Sequence, residues 1–219
     1  ERGTPLAVLE AGFLTAMRTG AASGAATDAL ARRDARIAAV FGAGVQGRTQ
    51  LEAVAAVRPL RRAFVVDPDT RAAAAFAEEM SRRLGLEIEP AAAGAALREA
   101  DIVSTATTSA TPVFRDADLK AGVHINAIGS YKPHVHELPG ETVGRARLFV
   151  DDRRAALEEA GDILIPLREG LIGEGHIRGE IGEVLAGLKP GRTADDETTV
   201  FKSVGNAVED LAVAALVLG

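Results

Sequence analysis

Three glycines near the start of the chain carry the clearest chemical signal. The segment Gly42-Ala43-Gly44-Val45-Gln46-Gly47 follows the G-x-G-x-x-G pattern. In that pattern the first glycine permits a tight turn, the second lets a phosphate approach the backbone, and the third lets a helix pack closely on a strand. With 23 glycines in 219 residues, the pattern alone is weak evidence, so its context must support it.

The surrounding sequence supports a dinucleotide site. An apolar run at residues 37–41 predicts a strand before the glycines, and residues 46–57 predict a helix after them. The amino end of such a helix offers unpaired N–H groups and a positive dipole to phosphates. Asp67 ends the second predicted strand, where a carboxylate binds ribose hydroxyls and repels a 2′-phosphate. The predicted cofactor is therefore NAD, although nearby Arg71 leaves NADP open.

Two later segments are expected at the same edge of the sheet. Ser104-Thr105-Ala106-Thr107-Thr108 follows the fourth predicted strand, and Gly129-Ser130-Tyr131-Lys132-Pro133 follows the fifth. Ligands bind outside the carboxyl ends of parallel strands. We therefore expect Thr105, Ala106 and Thr107 to lie against a nicotinamide ring, with ordinary loops as the alternative.

Two histidines and one arginine could also carry chemistry. His134 and His136 lie two residues apart, but no third ligand has suggestive spacing and hydride transfer needs no metal, so no metal site is predicted. Arg18 lies among small residues in a predicted helix over residues 10–31, where a guanidinium suits a carboxylate ligand. A surface arginine is the equally weighted alternative.

The elements around these residues predict an α/β fold. Short apolar runs predict strands at residues 37–41, 63–66, 86–88, 101–104, 124–128 and 148–150. Alanine-rich segments predict helices at residues 46–57, 70–84 and 94–100. This alternation is typical of a doubly wound (Rossmann) parallel sheet with helices on both faces.

The chain ends depart from that rhythm. Residues 5–9 resemble a strand that needs a partner, so we expect further residues upstream. We interpret residues 1–32 as part of a substrate-binding and dimerisation domain, residues 33–194 as the nucleotide-binding domain, and residues 195–219 as a segment returning to the first domain. Apolar faces at both ends predict a homodimer or a higher homo-oligomer.

Composition excludes several classes of protein. The formal net charge of −6 argues against nucleic-acid binding, which needs a basic surface. No apolar run reaches the roughly 18 residues of a membrane span, so no membrane partner is predicted. The absence of cysteine excludes disulfides and thiolate chemistry, and the expected compartment is the cytoplasm.

Taken together, these motifs resemble the ornithine cyclodeaminase/mu-crystallin family of NAD(P)-binding proteins over essentially the whole chain. Besides the glycine pattern, the resemblance rests on residues 14–23, 104–114, 126–133, Glu137-Leu138 and 201–205. It implies that Arg18 binds a substrate carboxylate and that Ser203 lies near the nicotinamide. It also implies an upstream segment of roughly a hundred residues, which in the family holds a second carboxylate-binding arginine and an active-site lysine.

Family members differ in activity, and one loop bears on the choice. Cyclodeaminases carry an aspartate where this chain has Tyr131. A phenol, protonated near neutral pH, is a poor base for an ammonium group but can donate a proton to an imine. His134 also departs from reductase-like relatives, which often have aspartate. The sequence therefore favours an NAD(P)H-dependent reductase of a small cyclic 2-imino acid, with Arg18 and Tyr131 as catalytic residues. The upstream lysine is the alternative to Tyr131 as the proton donor. Ornithine cyclodeaminase and a non-catalytic NAD(P)H-binding protein are the alternatives.

Overall fold

Eight parallel strands form one sheet in the computed structural model, which describes residue 5 and residues 7–219. In chain order the strands are β1 Ile37–Phe41, β2 Arg62–Val66, β3 Glu87–Pro90, β4 Ile102–Thr105, β5 His124–Ala127, β6 Arg147–Val150, β7 Ile177–Glu180 and β8 Thr199–Lys202. The order across the sheet is β3-β2-β1-β4-β5-β8-β6-β7. The predicted doubly wound fold is confirmed.

The helices connect these strands and cover both faces. They are α1 Ala11–Leu30, α2 Val45–Val57, α3 Thr70–Leu84, α4 Ala93–Glu99, α5 Gly140–Arg145, α6 Arg153–Glu159, α7 Gly161–Arg168, α8 Ile181–Leu185 and α9 Ala207–Leu218. Ala38 and Val40 of β1 pack with α2 and α3 on one face. Ala39 and Phe41 belong to the core on the other face, with Leu97 of α4. Burial on both faces explains the continuous apolar character of the strands.

Helix α1 lies across α2 and reaches the far half of the sheet. A Cβ atom at Gly20 would lie 2.7 Å from the carbonyl oxygen of Thr49, so the two helices approach closely at this glycine. Further along, Leu30 packs with Phe149 of β6 and Phe201 of β8. Helix α1 therefore connects the fingerprint side of the sheet to its far side.

The prediction that residues 195–219 leave the sheet is wrong for residues 199–202. These residues form β8, which pairs with β5 on one side and β6 on the other, and all four are buried. Acidic residues precede this strand and it contains the charged Lys202, so its sequence does not resemble that of a central strand of a sheet. Strand β7 and helices α5 to α8 were also not predicted.

The strand predicted at residues 5–9 is not found where the structure describes it. Residue 6 lies outside the described residues, and residues 5 and 7–9 belong to no helix or strand. Within the part of the chain that the structure describes, every helix is too short or too polar to cross a bilayer.

Candidate active site

The glycine segment forms the turn between β1 and α2. Gly42 has a φ of +101°, and a Cβ there would lie 2.5 Å from the carbonyl oxygen of Ala106. At Gly47 a Cβ would lie 2.1 Å from the carbonyl oxygen of Gly42. Both positions require glycine, the first for the turn and the second for close packing of the helix.

Gly44 differs from its two neighbours because it borders open space. A Cβ added there would meet no atom within 4 Å. Gly44 caps α2, and among the described residues no side chain bonds the first N–H groups of this helix. The next residue, Val45, is exposed. The helix end therefore presents free donors and an unfilled space, which fits a dinucleotide phosphate.

Asp67 completes this first cleft. Its Oδ2 accepts a hydrogen bond from the N–H of Ala43 at 2.8 Å, and its Oδ1 accepts one from the N–H of Asp69 at 2.9 Å. The cleft encloses about 590 Å³ between Asp67, the glycines and the segment after β4. The carboxylate is thus fixed by the backbone beside the glycine turn, where it can meet a ribose.

A second cleft of about 430 Å³ adjoins the first. It brings together Arg18, Gln46, Tyr131 and Ser203 from four separate segments. The two clefts share residues 106–108, which lie at the end of β4. Tyr131 is 57% exposed. One elongated ligand can therefore occupy both clefts.

Arg18 is held in this second cleft by acidic residues of α9. Its Nε lies 3.0 Å from Oδ1 of Asp210, and its Nη1 lies 3.0 Å from Oε2 of Glu209. The pKa of the Glu209 carboxyl is raised, because the effect of its burial exceeds the opposing effect of Arg18. A Cβ at Gly205 would lie 2.6 Å from Nη1 of Arg18, so this glycine makes room for the guanidinium.

Ser203 lines the cleft while its hydroxyl is engaged behind it. The hydroxyl donates to Oδ2 of Asp151 at 2.8 Å, and the N–H groups of Val204 and Gly205 donate to the same oxygen. Asp151 therefore holds the turn after β8 in place through three donors.

Thr105 does not line either cleft, unlike Ala106 and Thr107. Its side chain is fully buried, and its hydroxyl donates to Oε2 of Glu137 at 2.9 Å. Glu137 was noted in the sequence only as part of a motif, and its position could not be inferred. Burial raises the pKa of the Glu137 carboxyl, and the nearby Asp162 raises it further.

The two histidines of the segment after β5 do not form a metal-binding cluster with other residues. His134 is exposed and His136 is partly buried. Over residue 5 and residues 7–219 no group of three or more His, Cys, Asp or Glu side chains is arranged to hold a metal ion.

Known proteins resemble this chain over nearly its full length. A Δ1-pyrroline-2-carboxylate reductase of Bacillus cereus is 44% identical over 98% of this chain and 66% of its own length. The solved structure of the Thermococcus litoralis Δ1-pyrroline-2-carboxylate reductase, in complex with NADH and L-proline, is 49% identical with a TM-score of 0.96, covering 98% of this chain and 67% of that chain. An archaeal alanine dehydrogenase dimer with bound NAD is 38% identical with a TM-score of 0.94, covering 99% and 67%.

The chain spans about two thirds of the length of the curated relatives that it matches, 66% for the Bacillus cereus reductase. The sequence profile of the ornithine cyclodeaminase/mu-crystallin family matches residues 1–218. The chain belongs to the ornithine cyclodeaminase/mu-crystallin family.

Proposed function

We propose that the protein is an NADH-dependent reductase that converts a small cyclic 2-imino acid, such as Δ1-pyrroline-2-carboxylate, into the corresponding amino acid. The observation that carries this proposal is the junction of the two clefts at residues 106–108. One cleft has the form of a dinucleotide site, and the other holds a guanidinium and a phenol. The similarity to reductases of this substrate supports the same assignment.

The proposed cofactor contacts begin at the glycine turn. Gly42 and Gly44 border the first cleft and Gln46 the second, whereas Val45 and Gly47 shape the start of α2. The carboxylate of Asp67 favours NAD over NADP, because a 2′-phosphate would be repelled there. Contacts with the nicotinamide end are assigned to Ala106, Thr107 and Ser203, with Thr105 supporting them from behind.

The substrate would bind between Arg18 and Tyr131. A guanidinium suits the carboxylate of an imino acid, and the Nη2 atom of Arg18 makes no hydrogen bond with the described residues. When bound, the reduced cofactor supplies the hydride that the imine carbon accepts. Tyr131, which lines the same cleft, or an upstream lysine of the kind that the family resemblance implies, would donate the proton that the imine nitrogen needs.

The assay that tests this function is NADH oxidation by the full-length protein with Δ1-pyrroline-2-carboxylate. We expect substrate-dependent oxidation, and we expect Arg18→Lys to raise the KM about tenfold because a point charge replaces a planar fork. Arg33→Lys is the matched control, since Arg33 is exposed away from the clefts. Absence of oxidation despite NADH binding would overturn the reductase assignment and leave a cyclodeaminase, tested with ornithine, or a binding protein.

Self-association is also proposed for this protein. Val208, Leu211 and Leu216 of α9 are between 61% and 83% exposed, which leaves an apolar surface on the helix that holds Arg18. Apolar patches of this kind mark interfaces. The dimeric state of the similar alanine dehydrogenase supports a homodimer, and light scattering of the full-length protein tests it.

A further inference from the structure

The carboxylate of Glu137 lies directly behind the point where the two clefts meet. The residue is fully buried, and its carboxylate accepts three hydrogen bonds. Thr107 donates its N–H to Oε1 at 2.7 Å, Gly129 donates its N–H to Oε2 at 2.8 Å, and the Thr105 hydroxyl donates to Oε2. Thr105 is the last residue of β4, Thr107 follows that strand, and Gly129 follows β5. The Glu137 side chain therefore joins the loops after β4 and β5.

The contact between these loops is unusually close. A Cβ at Gly129 would lie 2.4 Å from the carbonyl oxygen of Thr107 and 2.6 Å from both carboxylate oxygens of Glu137. Only glycine leaves room for the carboxylate to reach both backbone donors. Thr107 and Gly129 themselves line the second cleft, so the hydrogen-bonded atoms lie one layer beneath its surface.

A second buried carboxylate holds Glu137 in turn. Oδ1 of Asp162 accepts the N–H groups of Glu137 and Leu138 at 2.7 and 2.9 Å. Its Oδ2 lies 2.9 Å from Nζ of Lys202, and that ammonium also donates to the carbonyl oxygen of Ser130. The start of the loop after β5 is therefore fixed at two adjacent residues, by Glu137 at Gly129 and by Lys202 at Ser130.

We infer that Glu137 is a positioning residue, which locks the loops after β4 and β5 into one rigid floor beneath the nicotinamide end of the bound cofactor. The inference rests on the proposed function, because it concerns the same site. Glu137 does not line either cleft, so it acts through Thr107 and Gly129 rather than by touching a ligand. An ionised carboxylate suits this role, since all three of its partners donate.

Glu137→Gln tests the inference with a small change in shape. The backbone N–H groups of Thr107 and Gly129 approach different oxygens of Glu137. In either orientation the glutamine amide would therefore turn its own NH2 group toward a donor. In the full-length protein we expect the Kd for NADH, measured by fluorescence titration, to rise about tenfold or more.

The steady-state parameters distinguish positioning from loss of fold. We expect kcat to fall about tenfold while the KM for the imino acid changes less than about threefold, because Arg18 is held by α9 and not by these loops. Circular dichroism at the assay temperature verifies that the variant is folded. Glu141→Gln is the matched control, since Glu141 is exposed on α5 and should leave every value unchanged.

A milder variant covers the case in which Glu137→Gln does not fold. Thr105→Val removes one donor and keeps both backbone donors, so we expect about a threefold rise in the Kd for NADH. An unchanged Kd in folded Glu137→Gln, or in Thr105→Val if the first variant is unfolded, overturns the inference alone. Failure of the unaltered full-length protein to bind NADH overturns the proposed function, and the inference with it.

Discussion

The two clefts are built by different means. The fingerprint cleft is formed mainly by backbone, with Gly42, Gly44 and Gly47 shaping a turn within six residues of sequence. The loops of the second cleft are instead held by two carboxylates, the buried Glu137 and the partly buried Asp151. The first cleft depends on the absence of side chains, and the second depends on charged side chains placed behind its surface.

The two clefts are therefore sensitive to different kinds of substitution. A backbone-built cleft fails when an added atom has no room, whereas a carboxylate-held cleft fails when a buried charge loses its partner. Substitutions at Lys202 and at the fingerprint glycines test this contrast, and His124 provides a third test on stability with a smaller expected effect.

Lys202→Met should produce the largest effect. The variant leaves the Asp162 carboxylate buried without its cation, which typically costs about 3–5 kcal/mol. Urea unfolding measures this loss.

The double variant Lys202→Met with Asp162→Asn should recover part of the stability, because Oδ1 of the asparagine still accepts the two N–H groups and no charge is left unpaired. Lys189→Met, which breaks a solvent-exposed ion pair with Glu183, should cost much less. Equal losses in the two lysine variants would contradict the contrast.

Gly47→Ala and Gly44→Ala separate packing from ligand contact within the fingerprint cleft. At Gly47 the new methyl group meets a carbonyl oxygen at 2.1 Å, so unfolding should become easier by about 3 kcal/mol. At Gly44 the methyl group enters open space, so stability should stay near that of the unaltered protein while NADH binding weakens. Thermal unfolding and NADH titration of both variants provide the comparison. Full NADH affinity in Gly44→Ala would remove this glycine from the proposed phosphate site.

His124 offers a pH-dependent test on the far half of the sheet. Burial, with a smaller effect from Arg192, lowers the pKa of His124 from 6.5 to about 3. The unfolded chain therefore binds more protons below pH 6.5, and stability is lost as the pH falls from 6.5 toward 3. At pH 5 the loss from this group is about 2 kcal/mol.

Urea unfolding at pH 7 and pH 5 measures that dependence. His124→Asn should be less stable at pH 7, because the hydrogen bond with Thr199 is lost, yet it should show a smaller difference between the two pH values. The exposed His134→Asn should retain the full difference. An unaltered pH dependence in His124→Asn would show that this group does not titrate as its burial requires.

Sequence predicted the elements around the fingerprint cleft closely. The predicted helix at residues 70–84 coincides with α3, and β1 coincides with residues 37–41. Apolar runs bounded by turn residues are formed by neighbouring residues, so they can be recognised in a single sequence. Strand β7 escaped prediction because only Ile177 in Ile177–Glu180 is a large apolar residue.

The residues that hold the second cleft in place could not be predicted from local sequence patterns. Glu137 meets Thr105 and Thr107 only because β4 and β5 are neighbours in the sheet, and the sequence separations are 32 and 30 residues. The burial of Lys202 becomes evident only when β8 is placed between β5 and β6. Sequence singled out Arg18 and Tyr131, which line the same cleft, but it did not single out the acidic partners of Arg18 on α9.

The position of β8 has a consequence for the order in which the polypeptide assembles. During synthesis β6 and β7 emerge before β8, yet β6 joins the sheet through β8 and not through β5. Strands β5 and β6 therefore each expose an unpaired edge until residues 199–202 leave the ribosome. Exposed edges of this kind recruit foreign strands. A nascent chain stalled before β8 is the species most in need of a chaperone, even though its fingerprint half can already be paired.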